Sequence, residues 1–69
     1  MSDLHLNPTD LSILELLEEG RCTPSYIAQE TGYTRGNINN RLIRLVEHGY
    51  VERMGGGLYK LVKDPRASE

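Results

Sequence analysis

The stretch Thr34–Gly49, TRGNINNRLIRLVEHG, decides how the chain is read. With Ile38 set at the origin and about 100° added per residue, Leu42, Leu45 and Val46 fall within a quadrant of it. They form one apolar stripe at i, i+4, i+7 and i+8, the pattern of an amphipathic helix. The opposite side reads Gly36, Asn37, Asn40, Ile43, Arg44 and Glu47, with Arg41 on its flank. Thr34 suits the N-cap and Gly49 the left-handed stop. Guanidinium and carboxamide groups are the ones that make paired hydrogen bonds to guanine and adenine edges in the major groove. Ile43 adds an apolar group suited to a thymine methyl or a protein partner. Gly36, at the second helical position, weakens the helix, a cost that close backbone approach to a phosphate would explain. Arg35 sits against the positive end of the helix dipole and is better explained by a phosphate than by folding.

Upstream, Asn7-Pro8-Thr9-Asp10 is a helix start: a cap, a proline at the first helical position and an acid near the positive end. Leu11, Ile13, Leu14, Leu16 and Leu17 give this first helix a wide apolar face, and Glu18-Glu19-Gly20 ends it. Arg21-Cys22-Thr23 is an extended link, with Cys22 read as a small core residue. Thr23-Pro24 opens a second helix that Gly32 closes. A short helix, a tight glycine turn and a longer helix in series are the helix-turn-helix signature.

Downstream, the period changes. Tyr50–Met54 and Leu58–Val62 read as two short strands joined by Gly55-Gly56-Gly57, a tip with free access to positive φ. The sequence therefore predicts a mainly α, α+β domain over residues 8–62: three helices and a two-stranded hairpin. Residues 1–7 are a lead-in and 63–69 a polar tail closed off by Pro65.

Sixty-nine residues allow one domain, and one of this size buries only about 60% of its unfolded surface. The single cysteine excludes an intrachain disulfide and a thiolate zinc cluster. No apolar run reaches membrane-spanning length, and MSDLHLNP lacks a signal-peptide layout, so a soluble cytoplasmic protein is expected. Net charge is −2, yet it is unevenly spread: residues 1–30 sum to −5 and residues 33–63 to +4. Such a dipolar chain can present a basic face to phosphates and an acidic back to solvent. No carboxylate pair, metal spacing, nucleophile with base or phosphate loop is present, so an enzyme, a metal site and a cofactor are not expected.

Ile27-Ala28-Gln29-Glu30-Thr31-Gly32-Tyr33-Thr34, then Ile38, Asn40-Arg41-Leu42 and Leu45-Val46-Glu47-His48-Gly49-Tyr50-Val51-Glu52, resemble a winged helix-turn-helix regulator. The pattern is similar to that of the MarR, ArsR and Lrp groups and of short archaeal and phage-repressor-like versions. The resemblance covers about residues 8–62. It implies a third helix in the major groove of double-stranded DNA and a wing on the backbone or minor groove. Carried over residue by residue, it implicates Thr34, Arg35, Gly36, Asn37, Asn40, Arg41 and Arg44 on the helix. Arg53 and Lys60 would flank the wing, and Thr23, Pro24 and Ser25 would lie by a phosphate. The resemblance further implies a transcriptional repressor acting as a homodimer. The wing departs from the pattern in having a glycine-only tip with no basic residue. The extra dimerisation helices of many MarR and ArsR members are not evident, so a dimer is expected to use the domain's own surface. No effector pocket is legible. The alternative is a winged-helix protein-interaction module, which predicts a neutral or apolar outer third helix.

Overall fold

The computed structural model describes residues 5–67. Leu4 and the rest of the first four residues of the lead-in, and the last two residues of the tail, lie outside the described residues. Three helices precede a hairpin: α1 (Pro8–Glu19), α2 (Pro24–Thr31), α3 (Arg35–Glu47), β1 (Val51–Arg53) and β2 (Tyr59–Leu61). This is the three-helix winged fold that the sequence predicts.

Each helix begins on a local signal. The Asp10 N–H donates to Asn7 Oδ1 at 2.8 Å and the Asn7 N–H to Asp10 Oδ2 at 3.0 Å, closing a reciprocal capping box at α1. Thr23 Oγ1 accepts from the Tyr26 N–H, and Thr34 Oγ1 from the Asn37 N–H, both at 3.1 Å. Gly32, at φ 84°, ends α2. Gly49, at φ 80°, ends α3 in a Schellman motif: the Tyr50 N–H reaches Leu45 O and the Gly49 N–H reaches Val46 O, each at 3.0 Å.

One core joins all the elements. Ile13, Leu14 and Leu17 of α1 meet Ile27 of α2, Ile38, Leu42 and Leu45 of α3, Cys22, Val51 and Tyr59. The apolar face of α1 is narrower than its leucines predict. Leu11 is exposed and Leu16 half-buried, because the buried row runs Asp10, Ile13, Leu14, Leu17 at i, i+3, i+4 and i+7. A carboxylate thus occupies the first core position of that helix.

The hairpin pairs Val51 with Leu61, Glu52 with Lys60 and Arg53 with Tyr59. Tyr59 also has a second neighbour. Its N–H donates to Cys22 O at 2.8 Å, and the Cys22 N–H donates to Tyr59 O at 3.1 Å. The link read as merely extended therefore also forms an isolated antiparallel bridge to β2, which seats the wing on the helical layer. At the tip, Gly55–Gly57 make a tight turn in which Gly56 and Gly57 take positive φ, 76° and 78°. The polar tail is not loose over its described part. Arg66 Nη2 contacts Glu18 of α1 at 2.8 Å and Asp64 at 2.8 Å, folding residues 64–66 back onto α1.

Candidate nucleic-acid interface

The outer row of α3 is open. Gly36, Asn40, Ile43, Arg44 and Glu47 are all exposed, as is Arg35 at the first helical position. Among the described residues, no carboxylate lies within ion-pair distance of Arg35, Arg44 or Arg53. The first-turn N–H groups of a helix have no intrahelical partner, and at α3 they emerge beside Arg35 and an exposed Gly36 that adds no side chain to shield them. The combination of free N–H groups, the positive end of the dipole and a guanidinium suits an anion. Thr34, exposed, has its hydroxyl oxygen engaged as the cap. The start of α2 shares only the threonine cap: Thr23 binds the Tyr26 N–H, Pro24 has no N–H, and Ser25 and Tyr26 are exposed.

Two of the implicated residues, Asn37 of the outer face and Arg41 on its flank, turn toward α1. Asn37 is half-buried, and its Nδ2 donates to Thr9 Oγ1 at 3.2 Å. Arg41 grips the buried carboxylate of α1: Nε donates to Asp10 Oδ1 and Nη2 to Asp10 Oδ2, each at 2.7 Å. The Asp10 side chain is 0% exposed and that of Arg41 20%. Hydrogen bonding to Asp10 raises the Arg41 pKa above its ordinary value, against the opposing effect of burial. The Arg41–Asp10 pair has an energetic basis. Without Arg41, the Asp10 carboxylate would keep only the Asn7 N–H among its present partners. Stranding one member of a buried pair costs about 3–5 kcal/mol. A good bidentate base contact returns about 1–3 kcal/mol. By these magnitudes, leaving Asp10 costs more than one base contact returns.

The wing carries less charge than its sequence suggests. Lys60 Nζ lies 3.7 Å from Glu52 Oε1 across the hairpin, a solvent-screened pair. Arg53 is exposed beside it, and the Gly55–Gly57 tip offers backbone alone. A shallow groove of about 200 Å³ between α3 and the hairpin is lined by Ile43, Val46, Glu47, Arg53 and Tyr59. No group of three or more potential metal ligands occurs among the described residues. Nor is any helix among them long and apolar enough to cross a membrane.

Sequence reasoning missed Asp10 and Thr9 as the partners of α3. The signal was present: Asp10 heads the row that continues with Ile13, Leu14 and Leu17, and a carboxylate in an apolar row demands a cation. Arg41, on the flank of the α3 stripe, was the available one.

Among known protein families, residues 5–56 match the model described as the MarR family. No curated protein and no solved structure matches the chain. The family match spans well over half of the sequence and takes in all three helices and β1. The chain belongs to the MarR family of winged-helix regulators.

Proposed function

We propose that the protein binds double-stranded DNA sequence-specifically as a cytoplasmic transcriptional repressor, with α3 in the major groove. The observation that carries this reading is the exposed outer row of α3 with Asn40 and Arg44, together with Arg35 exposed at the first helical position; neither arginine has a described carboxylate within ion-pair distance. Arg35 and the free N–H groups beside Gly36 meet a phosphate. Asn40 and Arg44 read base edges, in the pairings carboxamides and guanidiniums make with adenine and guanine. Thr34, Thr23 and Ser25 sit at helix starts suited to flanking phosphates. Arg53 and Lys60 add weaker backbone contacts beside the wing. Asn37 and Arg41 serve from behind, holding the helix in place.

The protein acts as a homodimer on a palindromic site. Its two copies of α3 then stand about 34 Å apart, one turn of DNA. Sedimentation at the concentrations used for binding gives a dimer if this holds, and a monomer on and off DNA if it does not.

Selection of bound fragments from random duplexes, followed by salt titration on the enriched site, tests the main claim. A conserved half-site should emerge, and affinity should fall steeply with salt. Arg44→Ala should cost about 1–3 kcal/mol on that site. Absence of enrichment, or unchanged affinity in both Arg44→Ala and Asn40→Ala, would defeat the reading. The protein-interaction alternative draws on Ile43, 54% exposed beside the groove along the hairpin. It gains ground only if Ile43→Ala abolishes function in a protein that selects no duplex.

A further inference from the structure

Two polar links join the first turn of α1 to one flank of α3. Thr9 and Asp10 are adjacent and buried. Asn37 and Arg41, one helical turn apart, reach them at 3.2 Å and 2.7 Å. An apolar core is non-directional and by itself tolerates small rolls of a helix about its own axis. Two hydrogen-bonded tethers on one flank do not, because each has a fixed angle and length. The same contacts remove a cation from the face that meets DNA. Arg41 carries its charge, yet Asp10 cancels it within 2.7 Å on both arms of the fork.

We propose that Asp10 is a positioning and specificity-determining residue of the DNA interface. It sets the roll of α3 and holds Arg41 away from the phosphates, and this rests on the DNA-binding reading above. Phosphate attraction is indifferent to sequence. Masking one cation per protomer lowers affinity for every duplex alike, while the locked roll keeps Asn40 and Arg44 aimed at bases. A uniform loss cancels in the ratio between the right site and any other, so discrimination rises through the locked roll.

The test compares binding to a random-sequence duplex and to the selected site as functions of salt. In Asp10→Asn, the carboxylate charge is gone and Arg41 is unmasked. The slope of log affinity against log salt on the random duplex should steepen by about 0.9 per protomer. The preference for the selected site should fall at least several-fold. In Asp10→Asn with Arg41→Gln, the pair stays neutral and its carboxamides can still bond, so the slope should match that of the native protein. A slope shallower by about 0.9 per protomer in the double variant would mean that Arg41 touches phosphate in the native complex, and would overturn the proposal. So would an unchanged slope in a folded Asp10→Asn.

A second measurement needs no variant. On adding the selected duplex to the native protein, the Arg41 Nε–H resonance should keep its position while that of Arg44 moves. Movement of both overturns the assignment of Asp10. A native protein with no salt-dependent duplex binding defeats the DNA reading itself and this inference with it. A shallower double variant beside a salt-sensitive native protein defeats this inference alone.

Discussion

Replacing Arg41 by alanine should cripple the fold rather than simply trim an interface. Arg41 supplies two of the three hydrogen bonds that Asp10 accepts, and the third comes from the Asn7 N–H. With the Asp10 side chain 0% exposed, water does not replace the guanidinium without opening the α1–α3 seam. The expected loss is about 3–5 kcal/mol. A chain of 69 residues holds roughly 3–10 kcal/mol in total, at about 0.05–0.15 kcal/mol per residue. The variant should therefore lose a third of its stability at the least, and be largely unfolded at the worst. Equilibrium urea denaturation followed by far-ultraviolet circular dichroism measures this directly, as a drop in midpoint at constant slope. The control is Asp10→Leu with Arg41→Met, which removes both charges and fills the space. It should recover most of the loss, since apolar replacements of buried ion pairs are often neutral or better. A loss below about 1 kcal/mol in Arg41→Ala is what a solvent-screened surface pair gives. That result would refute the burial argument and return Arg41 to the pool of cations free to meet DNA.

Three further outcomes are expected. Gly36→Ala should stabilise the protein by about 0.5–1 kcal/mol, because Gly36 lies in α3 and an added Cβ meets nothing within 4 Å. If the backbone there approaches a phosphate, the same variant should bind DNA more weakly, so a gain in both stability and affinity removes Gly36 from the interface. Asp64 is held below its ordinary value of 3.8, first by its hydrogen bond to the Arg66 guanidinium. A depressed folded value stabilises the protein above pH 3.8 and gives that stability up as pH falls through the folded value. Melting curves between about pH 2 and 6 should show Asp64→Asn losing less stability on acidification than the native protein; parallel curves would contradict the ion pair. Cys22 is 5% exposed and its thiol is pushed up, chiefly by burial and then by Glu19. Labelling by a thiol reagent at neutral pH should be slow in the native state and fast in urea, and equal rates would place the thiol at the surface.

The elements themselves were legible because their signals are local. Asn7, Thr23 and Thr34 cap helices from within four residues of the groups they bind. Gly32 and Gly49 stop helices through a backbone conformation that other residues rarely adopt. The apolar stripe of Ile38, Leu42 and Leu45 follows from the helical repeat alone. From these, the order of helices, the hairpin and an outer row of Gly36, Asn37, Asn40, Ile43, Arg44 and Glu47 could be read without coordinates; of that row only Asn37 is half-buried.

What the sequence could not decide is which polar groups meet across the core. Arg41 finds Asp10 over a separation of 31 residues, and Asn37 finds Thr9 over 28. Arg66 reaches Glu18 over 48 residues. Helical phase put Arg41 on a flank, and both a duplex and a neighbouring carboxylate lay within that description. Only the packing of α1 against α3 chose between them, by closing Asp10 off from water and leaving it one cation to pair with.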